Sequence, residues 1–269
     1  MTRPISIVSL EDVDPSLNKI SMGIYGHPGI GKTRLLGTGG PETLIMDSDS
    51  HGTVSAKRAR SKAHKAKVTD YTELAEMYDF LAHDKHDFTW VWWDSITLFQ
   101  DRGLIDDILV DAHLANPRQS EDVASQREYL VSQNRIGQYV RQFVDLPNIN
   151  FGWTAHVMVG EDTEGDGGII YKPAISGKRG TFSSYICGYM NIVAYMGLTP
   201  EGHRRLITQR TGEYYAKDRF HALRTNDKAY VQDVTLPQIT QLVGKAMGWN
   251  QEGATALSPQ RRRQRRTAS

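Results

Sequence analysis

At 269 residues and a formal net charge of +1, the chain is long enough for a substantial α/β core, and its charge total names no partner by itself. Its single cysteine, Cys187, excludes a disulfide framework and a cysteine metal set, and fits a reducing compartment. No apolar run approaches membrane-spanning length and Met1-Thr-Arg-Pro4 is no secretory signal, so a soluble cytoplasmic protein without a membrane partner is expected.

Residues 1–19 carry one apolar run, Ile5–Leu10, which reads as an extra strand on the core or an arm that docks on a neighbouring subunit. Ile20, Met22 and Ile24 then alternate with small or polar residues, as a strand requires. Directly after them, Gly26-His27-Pro28-Gly29-Ile30-Gly31-Lys32-Thr33 fits G-x-x-x-x-G-K-[ST], and Thr33-Arg34-Leu-Leu36 opens a helix. Such a loop cradles phosphates with its backbone N–H groups. Its lysine reaches the β- and γ-phosphates, and its threonine hydroxyl holds Mg²⁺. Gly26 through Arg34 are therefore the expected nucleotide-binding residues, with ATP and Mg²⁺ as the expected cofactors.

Thr43–Met46 reads as a buried strand ending in Asp47-Ser-Asp49. Acids at the carboxyl end of a strand in a parallel sheet face the ligand crevice, which makes Asp47 and Asp49 candidates for orienting a water; a capping turn is the other reading. Residues 54–67 hold six cations and no acid, with alanines at 56, 59, 63 and 66. That spacing predicts a basic helix, either a solvated face or a nucleic-acid contact. A helix over 71–81 follows, with Leu74, Met77, Tyr78 and Leu81 on one side. Phe88–Trp93 then forms a hydrophobic strand ending in Asp94, the expected second half of the nucleotide site and, with Thr33, the expected metal ligand.

Residues 96–146 read as two helices separated by Asn116-Pro117, the second placing Leu130, Ile136, Val140, Phe143 and Val144 in the core. Ile149–Ala155 is a further strand whose end brings Thr154 and His156 near the γ-phosphate, as sensors of hydrolysis. Residues 157–181 form a long excursion, acidic and hairpin-like in its first half. Its second half carries Tyr171, Lys172, Lys178 and Arg179, the mixture of rings and cations that single-stranded nucleic acid favours. From Tyr189 the chain reads as antiparallel strands at 191–196, 204–208 and 213–216, followed by Lys217-Asp-Arg219. A last helix runs from Pro237 to about Met247. Residues 249–269 hold five arginines within six positions, Arg261, Arg262 and Arg263 among them; this composition predicts a disordered tail that adds affinity for a polyanion.

Taken in order, these landmarks resemble the RecA-like P-loop ATPases over roughly residues 18–248, most of all the short phage-encoded nucleotide-binding or single-strand annealing proteins. The resemblance implies an α/β core over residues 20–248, with a mainly parallel central sheet, antiparallel C-terminal strands and a disordered basic tail. It implies a catalytic carboxylate at Asp49, a Mg²⁺-associated aspartate at Asp94, and a coupling residue at Thr154 or His156. It makes residues 157–181 a DNA-binding loop, and Lys217 and Arg219 cations that reach the neighbouring subunit's ATP beside the catalytic Lys32. The expected function is ATP-dependent binding of single-stranded DNA for annealing or strand exchange in phage recombination, by a filament or ring in the host cytoplasm, with a single-strand DNA-binding protein as a further partner. A helicase-like or helicase-loading motor, and a nucleotide-gated DNA-binding module with negligible hydrolysis, are the alternatives.

Overall fold

The alternation at Ile20, Met22 and Ile24 builds β1 (Ser21–Tyr25), buried along its whole length at the middle of the sheet. The structure, a computed structural model, describes residues 19–249 except 50–55, 58–59, 121, 163–166, 178–180 and 226–227. The expectations for Ile5–Leu10, Lys178, Arg179 and Arg261–Arg263 lie outside the described residues.

Around β1 the main sheet adds β2 (Thr43–Asp47), β3 (His64–Lys67), β4 (Trp90–Asp94), β5 (Asn150–Ala155) and β8 (Ile192–Leu198), all parallel, in the order β8-β1-β5-β4-β2-β3. β9 (Arg204–Ile207) and β10 (Lys217–Asp218) run antiparallel to β8, and β11 (Tyr230–Gln232) runs antiparallel to β9. β6 (Val157–Glu161) and β7 (Ile169–Pro173) form a separate antiparallel hairpin. This is the expected α/β class with a mainly parallel sheet.

Helices cover both faces. On one side lie α1 (Lys32–Leu36) and α7 (Leu236–Ala246), burying Leu35, Leu36, Ile239 and Val243 against Met22, Ile24 and Ile45. On the other lie α2 (Tyr71–His83), α3 (Ile96–Arg102), α5 (Gln126–Asp145) and α6 (Thr181–Tyr189), packing against Val91, Trp93, Phe151 and Trp153. α3 runs through a π-helical stretch, Gly103–Leu109, into α4 (Val110–Ala115). Among the described residues, no helix is long and apolar enough to cross a membrane.

Two glycines set the spacing of the sheet's centre. Gly23 of β1 stands opposite Trp153, and Gly152 of β5 opposite Trp92. A Cβ on either glycine would sit 2.3 Å from the partner's ring, and both rings are fully buried. Each indole fills the space its glycine leaves, one on each face of the sheet. Gly152→Ala is therefore expected to displace Trp92 at a cost of about 1–3 kcal/mol. Thermal unfolding reads this as a Tm lower by roughly 2–4 °C per kcal/mol; an unchanged Tm would mean the ring relaxes freely.

The structure corrects several local expectations. Residues 61–63 are irregular and 64–67 form β3 in place of a basic helix; Lys65 pairs with Asp47 and Lys67 with Glu73, which keeps neither as a bare cation for a polyanion. β8 runs parallel to β1, not antiparallel as expected, because α6 carries the chain back across the sheet before it; residues 182–188, between the expected excursion and the expected strands, form most of that helix. Residues 213–216 form only isolated bridges at Tyr214, and the strand begins at Lys217. Leu130 is exposed, one turn from the amino end of α5, where nothing in the core reaches it.

Candidate functional site

β1 ends at Tyr25, and the chain turns through Gly26–Gly31 into α1. Gly31 sits at φ 112°, a left-handed conformation that a β-carbon would oppose, and it is pressed by Arg204. Gly26 is fixed from the other side: a Cβ there would lie 2.5 Å from Met196 O. The loop therefore keeps its own backbone uncovered between these contacts. His27, Pro28 and Gly29 are exposed, Ile30 is half-buried, and Arg34 faces solvent on α1.

Lys32 is buried, and its Nζ donates to Gly26 O at 2.8 Å and His27 O at 3.1 Å. Burial pushes its pKa down to about 8, with the charge of Asp94 opposing. The ammonium is thus held under the loop by two carbonyls, poised where a phosphate oxygen could take over one of them.

Asp94 ends β4, one strand away from β1 with β5 between. Its Oδ2 accepts from Thr33 Oγ1 at 2.6 Å, and its Oδ1 from Thr154 Oγ1 at the end of β5. Burial raises its pKa, against the two hydroxyls and Lys32, while Asp47 adds to the rise. Asp47 stands opposite Asp94 in the β2–β4 register and is tied on both oxygens: Lys65 Nζ lies 2.5 Å from Oδ2, and Asp49 N donates to Oδ1 at 3.0 Å. Asp47 thereby sets the turn that carries the half-buried Asp49 and is itself no candidate for holding a water.

His156 is half-buried beyond β5, and its backbone N donates to Thr97 Oγ1 at 3.0 Å. Its pKa is lowered by burial first and by the Lys32 ammonium second, with Asp101, Asp94 and Asp49 opposing. The hydrogen bonds of Asp94 to Thr33 and Thr154 and of Asp49 to Asp47, with the shared sheet, bring Lys32, Asp49, Asp94, Thr154 and His156 to the side where β1, β2, β4 and β5 end, as the strand-end rule for the ligand crevice expects.

The residues present fit Mg²⁺–nucleotide. Thr33 and Asp94 supply two adjacent hard oxygens. Among the described residues no cluster of three or more His, Cys, Asp or Glu could hold a metal alone, so the ion's remaining ligands would come from phosphate and water. When bound, the ion supplies charge neutralisation between phosphate oxygens.

The excursion after β5 is tied to this crevice through α3, the helix that Ser95 caps immediately after Asp94. Thr97 Oγ1 accepts from His156 N and donates to Ala174 O at 2.7 Å, closing the base of the β6–β7 hairpin. Gln100, buried, grips Ser176 by both backbone groups: its Nε2 donates to Ser176 O at 3.0 Å and its Oε1 accepts from Ser176 N at 2.7 Å. From β1, the Tyr25 hydroxyl lies 2.8 Å from Tyr171 O and 3.0 Å from Tyr215 O. Thr97 and Gln100, polar positions three apart among Ile96, Leu98 and Phe99, were the available signal for this clamp.

Two of the expected DNA contacts are otherwise engaged. The Tyr171 ring stacks on Tyr214 at 5.3 Å, and Tyr214 in turn on Tyr195 at 4.4 Å. Lys172 is buried with its stem against Gly160. Lys217 and Arg219 are also far from their own P-loop. Lys217 lies opposite Val193, which stands level with Gly23 rather than Gly26, and β8 separates it from β1. Both side chains donate to Gly188 O, at 3.5 and 3.1 Å.

No curated protein matches the chain. Among solved structures it is similar to the crystal structure of the RadB recombinase, at 16% identity over 70% of this chain and 79% of that chain, with a TM-score of 0.42. The AAA domain family matches residues 18–220, a span that takes in the loop, both threonines, every carboxylate of the crevice and the α3 clamp. The chain therefore belongs to the AAA domain family, as a P-loop ATPase domain.

Proposed function

We propose that this protein binds and slowly hydrolyses Mg²⁺–ATP, and that the nucleotide controls its grip on single-stranded DNA during annealing or strand exchange, in the manner of a phage recombination protein. The observation that carries the reading is the double hold of Gln100 on Ser176, two residues before Lys178-Arg179 and one helix away from Asp94. A shift of the Asp94 end of α3 is passed directly to the segment that leads into these cations. With Tyr171 and Lys172 packed inward, Lys178, Arg179 and the arginines of residues 261–263 are the proposed DNA contacts. Lys217 and Arg219 are proposed to reach the ATP of a neighbouring copy stacked head to tail.

Chemically, Lys32 and the loop backbone orient the triphosphate, Asp49 orients the attacking water, and Thr154 and His156 register the loss of the γ-phosphate. The contribution is positioning and charge neutralisation. Phosphate release measured with and without single-stranded DNA tests the reading. DNA-stimulated release is expected; DNA binding indifferent to nucleotide would sink it, and unwinding of a duplex would favour a motor. Gln100→Ala is expected to retain ATP binding while losing most of the DNA stimulation. Full stimulation in that variant would remove α3 as the connection.

A further inference from the structure

Tyr25 is the last residue of β1 and the neighbour of Gly26, and it is fully buried. Gly26 is held from three sides: its N donates to Ala155 O at 3.3 Å, its O accepts from Lys32 Nζ at 2.8 Å, and Met196 O stands 2.5 Å from where its Cβ would be. A phosphate oxygen that draws Lys32 off Gly26 O releases one of the three, and Tyr25 is the next residue to feel it.

At its far end the same side chain reaches two other segments. Its hydroxyl faces Tyr171 O in β7 at 2.8 Å and Tyr215 O, two residues before Lys217, at 3.0 Å. These segments are paired with each other, Tyr171 N donating to Glu213 O at 2.6 Å and Tyr215 N to Tyr171 O at 2.9 Å. The rings repeat the connection: Tyr25 meets Tyr195 edge-on at 5.4 Å, Tyr195 stacks on Tyr214, and Tyr214 stacks on Tyr171. Burial raises the Tyr25 pKa above its ordinary value, so the hydroxyl keeps its proton. It has one proton for two carbonyls, and a small displacement of the ring decides which of them receives it. The residue that touches the P-loop is thereby the one that apportions a hydrogen bond between the hairpin and the segment leading to Lys217.

We propose that Tyr25 is a positioning residue that passes the occupancy of the P-loop to the β6–β7 hairpin and to the segment before Lys217, through contacts that α3 does not share. The inference rests on the nucleotide-binding reading above and is independent of what the hairpin grips.

Calorimetry and amide hydrogen exchange with Mg²⁺ and the non-hydrolysable analogue AMP-PNP test it. In the unmodified protein the analogue is expected to change exchange at the Tyr171 and Tyr215 amides by about fivefold, the scale of one hydrogen bond. Tyr25→Phe keeps the ring and removes the proton. It is expected to bind the analogue within about twofold of the unmodified protein and to lose the exchange response. Tyr195→Phe takes a hydroxyl from the same cluster while keeping its ring against Tyr25, and is expected to retain the response. A response that survives Tyr25→Phe, or one that Tyr195→Phe abolishes as well, overturns the assignment, as does loss of binding in a folded Tyr25→Phe protein. So does an unmodified protein that binds the analogue with no change at either amide, an arm that needs no variant to fold. No heat with the unmodified protein overturns the nucleotide-binding reading and this one with it.

Discussion

Lys32→Ala is expected to weaken Mg²⁺–ATP binding by roughly 10- to 100-fold. A charge-assisted hydrogen bond to a phosphate contributes roughly 1.5–3 kcal/mol, and each 1.4 kcal/mol is a factor of ten. Here the lysine does two things at once. Its ammonium sits buried beneath the loop, so its charge acts on a bound phosphate chain with little water between. It also ties Gly26 O and His27 O to one point, which holds the loop in shape. Lys32→Arg separates these effects, because it restores charge but not the compact fit. Calorimetry is the measurement, and near-native affinity in the alanine variant would show that the crevice is not a phosphate site.

Asp94→Asn should move stability and chemistry in opposite directions. Burial acts against the charge of this carboxyl, and the two threonine hydroxyls offset only part of that cost. An amide of the same shape removes the charge, and a gain of about 1 kcal/mol, roughly 2–4 °C in Tm, is expected for the protein without nucleotide. Phosphate release should fall by about 100-fold or more if, as proposed, Asp94 is the anion that would hold the metal beside Thr33. Scanning fluorimetry and a phosphate-release assay read the two effects. A Tm lowered by several degrees would mean that the threonines bind the ionised form tightly enough to outweigh its burial.

The parts of the site that share a strand end were legible in the sequence. Lys32 and Thr33 stand out through the G-x-x-x-x-G-K-[ST] pattern, while Asp49, Asp94, Thr154 and His156 each close or follow an apolar strand, and a parallel sheet collects such ends on one side. The contacts made at long separation were not. Arg204 meets Ile30 across 174 positions, and Gln100 meets Ser176 across 76, with no local pattern to announce either. The misread segments have the same origin. Alanines and lysines at 56–67 suit a helix locally, but the backbone of β2 offers hydrogen bonds on its outer side, and Lys65 finds Asp47 only when the chain lies extended there. The antiparallel expectation for 191–196 fails for want of α6: residues 182–188 carry no marked local signal, and without a helix there the next strand has no crossover to return it parallel to β1.

The position of β3 has a consequence for self-association. Among the described residues it is the outermost strand. The outer row of its backbone donors and acceptors along residues 64–67 meets no further described strand, which makes it a template on which another polypeptide could lengthen the sheet. His64, Lys65 and Lys67 are all exposed there, and a second copy laid alongside would bring like charges together and compete with the pairs to Asp47 and Glu73. Strand-to-strand aggregation is discouraged at this border, so the head-to-tail stacking proposed above would have to use surfaces elsewhere on the molecule.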